Sequence, residues 1–264
     1  MKILRYIKNK GISYGLLQNQ KIKKIKGDIF SNYIITEEKI DLKSVKLLSP
    51  VEPPNIIAVG LNYKKHADES GAKKYPQRPI LFLKATTSVV GPQDNIILPQ
   101  IAPAEVDYEA ELAVIIAKKA KNIREDEVDD YVLGYTCAND VSARDCQIKL
   151  DKQWARAKSF DTFCPLGPWI ETDLNPDKLN IKSILNGKTM QDSNTADLIF
   201  DVKYLLSYCS QNMTLLPGTV IMTGTPEGVG FARKPPVYLR TGDKIEVEIE
   251  GIGKLKNSVI DKKN

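Results

Sequence analysis

Histidine is nearly absent: His66 is the only one in 264 residues, so any imidazole chemistry near neutral pH falls to that single side chain. Cysteine is scarce too. Cys137, Cys146, Cys164 and Cys209 form no CxxC pair, which argues against a zinc site or a disulfide framework and fits a reducing compartment. No apolar run approaches the roughly 20 residues needed to span a bilayer. The opening Met1-Lys2-Ile3-Leu4-Arg5 also lacks the apolar core of a signal peptide. A cytoplasmic chain with no membrane partner is therefore expected. Repeats, low-complexity tracts and a regular alternation of strand and helix are all missing, which turns the expectation away from a parallel α/β sheet.

What is present is an ordinary globular composition, 42% hydrophobic and 27% charged, in a chain long enough for one large domain or a small one beside a larger one. The net charge of +5 is uneven, because Lys2, Arg5, Lys8, Lys10, Lys21, Lys23, Lys24 and Lys26 all precede the first acidic residue, Asp28. A basic face of this kind can bind nucleic acid, but no aromatic-rich binding motif or recognition-helix signature accompanies it. Solvated hairpin strands without a nucleic-acid partner are the expectation, and a non-catalytic basic binding module is the weaker alternative.

Short strands are predicted at Ile3 to Ile7, Ile12 to Leu17 and Lys21 to Ile25. The proline-rich segment Ser49 to Pro54 then suggests a boundary, with a small N-terminal domain over residues 1–52 and a larger one over 53–264. Ile56-Ile57-Ala58-Val59 reads as a buried strand ending at Gly60. After it, His66 and Glu69 stand at i and i+3 and meet on one face if the segment is helical. A continuous strand is expected over 105–117, and another from Val132 to Ala138. Ser142 is placed as the cap of a helix carrying Arg144, Gln147 and Ile148. Asn186-Gly187 signals a hairpin, and Thr195 is expected to cap a helix built on Leu198, Ile199, Val202, Leu205 and Leu206. Strands outnumber helices, so the fold class is α+β and mostly β, antiparallel or mixed.

The chemistry centres on Asp107-Tyr108-Glu109-Ala110-Glu111-Leu112. On a strand, Glu109 and Glu111 project to the same side, where two carboxylates repel unless a cation lies between them. Spacing alone fits a solvated acidic edge equally well. Asp140 ends a strand candidate and is either a turn acceptor or a third oxygen ligand. Were all three ligands, an all-oxygen site would favour Mg²⁺, Mn²⁺ or Ca²⁺ over zinc and leave positions open for substrate.

Five ordered blocks decide how these residues are read. They are Ala58-Val59-Gly60-Leu61-Asn62-Tyr63 with His66 and Glu69; Asp107 to Leu112; Gly134-Tyr135 leading to Ala138 through Asp145; Ala157-Lys158-Ser159-Phe160-Asp161; and Leu216-Pro217-Gly218 leading to Thr223 through Gly230. Together they resemble the fumarylacetoacetate hydrolase family over about residues 54 to 255. Ala85 departs from the pattern, standing where a proline commonly follows the lysine.

The resemblance implies a mixed β-roll catalytic domain behind a small N-terminal domain, a homodimer, and a divalent metal held by Glu109, Glu111 and Asp140. The metal would be Mg²⁺ or Mn²⁺, with Ca²⁺ possible in a crystal. The implied partner is a small 2-oxo or 2-enol acid that chelates the metal. Among the catalytic residues, His66 held by Glu69 would take a proton from water, and Lys158 would steady the substrate's carboxylate or enolate. Arg144, Gln147 and Thr225 would bind substrate. The favoured reading is a metal-dependent hydrolase cleaving a C–C bond in 2,4-dioxo acids. The alternative on the same metal core is an isomerase, tautomerase or decarboxylase of 2-oxo acids.

Overall fold

A meander of four strands opens the chain: Lys2–Lys8, Gly11–Gln18, Lys21–Gly27 and Tyr33–Asp41, each antiparallel to the one before it. The structure, a computed structural model, describes residues 1–261. The first two hairpins turn through Asn9-Lys10 and Asn19-Gln20, where every residue has positive φ. That is the turn geometry whose twist matches the flanking strands, and asparagine tolerates it well. The meander does not stand alone. Ile3 pairs with Ile170 in the strand Cys164–Glu171, so the N-terminal strands extend the same twelve-stranded sheet that carries the candidate site.

Beyond Cys164–Glu171 the sheet continues through Val132–Asn139, Ala110–Ile116, Val220–Met222, Ile56–Gly60 and Ile80–Lys84. A second sheet of five strands runs Lys188–Asn194, Asn180–Leu185, Lys244–Ile249, Gly253–Asp261 and Asn95–Leu98. Pairing is mostly antiparallel, but Val220–Met222 runs parallel to Ile56–Gly60, and Gly253–Asp261 runs parallel to Asn95–Leu98. The outcome is the mixed, mostly β architecture expected. The longest helix is Val202–Asn212.

All seven residues of Ala110–Ile116 are buried, because that strand has neighbours on both sides and packing on both faces. Leu112, Val114 and Ile116 pack with Ile181, Val247 and Leu255 of the second sheet. Ala113 and Ile115 pack instead with Ile3, Ile56 and Ile170. Truncating a residue here, Leu112→Ala for example, removes roughly 2–5 kcal/mol of stability.

Three local expectations need correction. The strand expected over 105–117 is broken at Tyr108 and Glu109: Val106–Asp107 pairs with Ser142–Ala143, and Ala110–Ile116 joins the main sheet. Ser142 is consequently a strand residue, its hydroxyl donating to the Asp140 carbonyl at 2.8 Å, and the π-helical turn starts later at Asp145–Leu150. Thr195 lies in a 3-10 turn, Thr195–Asp197, capped by Asn194. The longer helix is capped by Asp201, whose carboxylate accepts from the Tyr204 N–H at 2.8 Å and so offers a stronger acceptor at the right spacing. The Asn186-Gly187 hairpin forms as expected, both residues at positive φ.

Candidate active site

The site lies where two neighbouring strands run antiparallel. Ala110 is opposite Asn139 and Glu111 opposite Ala138, and the pairing extends one step further as the Asp140 N–H donates to the Glu109 carbonyl at 2.9 Å. The Asn139 side-chain oxygen accepts from the Glu109 N–H at 3.0 Å, replacing the ladder bond lost at the strand break. Glu109, Glu111 and Asp140 are thereby brought together, one carboxylate oxygen from each lying within 4.8 Å of the others. All three are buried, at 5%, 1% and 0% exposure, which excludes the solvated-edge reading.

Buried carboxylates need compensation, and three cations supply part of it. The Lys158 ammonium donates to Glu109 at 2.8 Å and to Asp140 at 2.6 Å. Lys84 donates to the other Asp140 oxygen. Arg144 donates to Glu109 at 2.6 Å and to Asp107 at 2.9 Å. Glu111 has no cation partner in this network and accepts a single N–H, from Gly224 at 2.8 Å. Protonation follows that inequality. Burial by itself would raise the Glu109 carboxyl, but Lys158, then Arg144 and His66, outweigh it and hold Glu109 far below the usual carboxylate range. Glu111 is pushed well above that range by burial first, then by Asp140 and Glu109.

Counting Asp107, the cluster has one carboxylate more than it has lysines and arginines. With Glu111 ionised, acceptor-only oxygens, an excess negative charge, and neither histidine nor cysteine in the triad fit a hard divalent cation of the Mg²⁺ or Mn²⁺ kind.

His66 sits on the helix Lys64–Glu69, and its Nδ1 is 2.8 Å from Glu69 Oε1. The second Glu69 oxygen accepts from the Gly228 N–H at 2.9 Å, so one carboxylate both orients the imidazole and ties its helix to the Thr223 to Gly230 loop. His66, Glu109, Glu111, Asp140, Arg144, Gln147, Lys158 and Thr225, the residues singled out from the sequence, all line one cavity of about 170 Å³, with Glu69 standing behind His66. Two of them also make buried ion pairs that spacing along the chain does not reveal. Lys158 has its ammonium on two carboxylates of the triad, Glu109 and Asp140. Arg144 is held by Asp107, Glu109 and the Gln147 side-chain oxygen at 2.6 Å, with the Phe231 ring 4.5 Å from its guanidinium. Three of its five N–H groups are thus committed, leaving two for a ligand.

The sequence did not single out Lys84 or Gln191. Lys84 ends the strand Ile80–Lys84, and its signals were a lysine closing an apolar strand and its place before Ala85 in the family pattern. Gln191 donates to Thr225 Oγ1 at 2.7 Å and accepts from the Ala110 N–H at 3.0 Å, fixing the loop against the strand Ala110–Ile116. Asp107, unassigned from the sequence, is fully buried and accepts from the N–H groups of Gly230 and Phe231 at 2.7 and 3.0 Å. The four cysteines are buried and unpaired. Among the described residues, no helix is long and apolar enough to cross a membrane.

Comparison with known proteins agrees with this geometry. Residues 55–260 match the family described as fumarylacetoacetate (FAA) hydrolase C-terminal, and residues 1–50 match the Rv2993c-like N-terminal family. The chain belongs to the fumarylacetoacetate hydrolase family. It is 47% identical over 225 residues to the mitochondrial oxaloacetate tautomerase Fahd2a of Rattus norvegicus, covering 84% of this chain and 71% of that one. The solved 5-carboxymethyl-2-hydroxymuconate delta-isomerase of Mycobacterium smegmatis superposes with a TM-score of 0.90 at 41% identity, covering 99% of this chain and 100% of that one. The fumarylacetoacetate hydrolase of Exiguobacterium antarcticum gives 0.89 at 36% identity, with the same coverage of both. An isomerase and a hydrolase therefore share this fold, and fold alone does not choose between them.

Proposed function

We propose that this chain is a divalent-metal-dependent enzyme that interconverts the keto and enol forms of a small 2-oxo acid, with oxaloacetate the first substrate to test. The observation that carries this reading is the convergence of the carboxylate triad and the His66–Glu69 pair on one cavity of about 170 Å³. An apolar cavity of about 150 Å³ holds one benzene, so the space suits a short acid. The rat relative's name, oxaloacetate tautomerase, supports the same choice.

Glu109, Glu111 and Asp140 would hold the ion, whose contribution when bound is Lewis acidity toward the substrate's carboxylate and 2-oxo oxygen. Glu69 accepts the His66 Nδ1–H, which leaves Nε2 as the proton acceptor. That nitrogen takes the proton from carbon 3, the electron pair moves into the C2–C3 bond, and the imidazolium returns a proton, directly or through water, to the 2-oxo oxygen as the enol forms. The two uncommitted N–H groups of Arg144 are suited to the acid's far carboxylate. Lys158 and Lys84 hold Glu109 and Asp140 in place.

Purified protein with Mg²⁺ should speed the decay of the oxaloacetate enol absorbance, and a chelator should remove the effect. His66→Asn should lower the rate roughly 10²–10⁴-fold with little change in stability. Enol decay that is indifferent to both protein and chelator would overturn the proposal.

C–C hydrolysis of 2,4-dioxo acids is the second reading, favoured by the His66–Glu69 pair, since a held imidazole also activates water. Release of pyruvate and acetate from acetopyruvate would establish it. His66→Ala should then lose cleavage more than enolisation. Decarboxylation would show as CO₂ from oxaloacetate. The non-catalytic basic module predicts salt-sensitive nucleic-acid affinity that survives Glu109→Ala. A homodimer in the cytoplasm, with residues 1–52 as a small N-terminal domain, completes the proposal and is checked by light scattering and fractionation.

A further inference from the structure

Gly60 ends the strand Ile56–Gly60, and a Cβ built on it would lie 2.4 Å from the Trp154 ring. Its φ is not in the left-handed region, so glycine is there for space and not for conformation. The indole takes that space. It also meets Phe82 edge to face, with ring centroids 5.5 Å apart and planes at 74°. Trp154 begins the short helix Ala155–Lys158, and its carbonyl accepts the Lys158 N–H at 3.1 Å. One helical turn therefore carries both the indole and the ammonium that bridges Glu109 and Asp140. Lys158 is in turn 5.2 Å from the Phe82 ring centroid, so Gly60, Trp154, Phe82 and Lys158 form one packed chain of contacts. Gly60, Phe82 and Trp154 line the same cavity as the carboxylates, with Phe82 buried and Trp154 half-buried at the outer side of that patch.

We propose that Trp154, seated on Gly60, is the specificity-determining wall that limits how far a substituent on carbon 3 of the substrate can extend, an inference that rests on the 2-oxo acid reading. A ring locked between a glycine backbone and a buried phenylalanine yields little. Each methylene that meets such a wall changes affinity by about tenfold or more. Widening or narrowing the seat should then move the length limit in opposite directions without touching the carboxylates.

Calorimetric titration of the Mg²⁺-loaded protein with pyruvate, 2-oxobutyrate, 2-oxopentanoate and 2-oxohexanoate tests this by binding alone. The unaltered protein should lose affinity about tenfold or more once the alkyl chain reaches the indole. Trp154→Ala should remove that step, Trp154→Phe should shift it to a longer acid, and Gly60→Ala, by driving the ring into the cavity, should shift it to a shorter one. Affinity for Mg²⁺ itself should stay within about twofold in Trp154→Phe. If the unaltered protein binds none of the four acids, the 2-oxo acid reading fails. If it binds them and the variants keep its order of lengths, the wall is elsewhere and this proposal is overturned. Should Trp154→Ala not fold, Trp154→Phe and Gly60→Ala carry the same comparison.

Discussion

Lysines at two places in this molecule meet opposite surroundings. In the N-terminal meander, Lys21 pairs with Asp41 at 2.8 Å, while Lys23 and Lys24 pair with Glu37 and Glu38 at 3.7 Å, all with side chains partly or largely in water. In the site, Lys84 and Lys158 are 3% and 2% exposed and held by Asp140 and Glu109. The basic run that stands out in the sequence is thus answered by the acidic strand beside it, which the chain supplies a few residues later. An exposed pair exchanges hydration for a screened attraction and gains little. A buried ammonium has lost its hydration and persists only while carboxylates replace it, so removing either partner is costly.

Glu109→Ala should break this contrast most severely. It takes one carboxylate partner from Lys158 and from Arg144 at once, leaving them only Asp140 and Asp107, so metal-dependent turnover should vanish and stability should fall by roughly 3–5 kcal/mol in chemical denaturation. Glu109→Gln, which keeps the shape and a hydrogen-bonding oxygen, should also lose metal-dependent turnover but unfold less readily. If Glu109→Ala were as stable as the parent, the buried pairs would be worth no more than those of the meander.

Lys158→Met should cost less, because Lys84 stays with Asp140 and Arg144 with Glu109. About 1.5–3 kcal/mol is expected for the metal-free protein. Saturating Mg²⁺ should restore part of it, since an ion that binds only the folded state stabilises it by mass action. No recovery with Mg²⁺ would mean that the triad does not take the ion.

A pH series sharpens the comparison further. Glu111, buried and facing Asp140 and Glu109, holds its proton above the ordinary value of 4.5. The folded, metal-free protein therefore binds that proton more tightly than the unfolded chain. The resulting stability is fully present below the ordinary carboxylate pKa and is lost as pH rises through the raised value. Melting temperature without metal should fall across that window, whereas Mg²⁺ affinity should tighten with pH and release up to one proton per ion. Calorimetry in buffers of different ionisation enthalpy reads that proton directly. At the small end, Lys23→Ala and Lys24→Ala should each change stability by about 0.5 kcal/mol or less.

Much of the site was legible before the fold. Glu109 and Glu111 two residues apart, Asp140 after an apolar strand, and the lone His66 three residues before Glu69 stand out by local spacing, but it took the five ordered blocks together to choose a cation site over a solvated acidic edge. The strand Ala110–Ile116 likewise follows, in its second half, from the apolar run Leu112 to Ile116. The break at Tyr108 and Glu109 was not legible, because nothing local shows that Val106–Asp107 will pair with Ser142–Ala143. That same pairing removed Ser142 from the helix start where its side chain suggested it belonged.

The sequence by itself determined which groups were available: acceptor-only oxygens, one imidazole with a carboxylate a turn away, and four cysteines with no CxxC pair among them. Tertiary structure decided how they are spent. Lys84 reaches Asp140 across 56 residues and Lys158 reaches Glu109 across 49, and those pairings leave Glu111 without a cation partner. The physical reason is that ionisation and ligand binding depend on hydration and on every neighbouring charge, and those neighbours are set by strand order and burial. Spacing along the chain records only the part of that environment that is local.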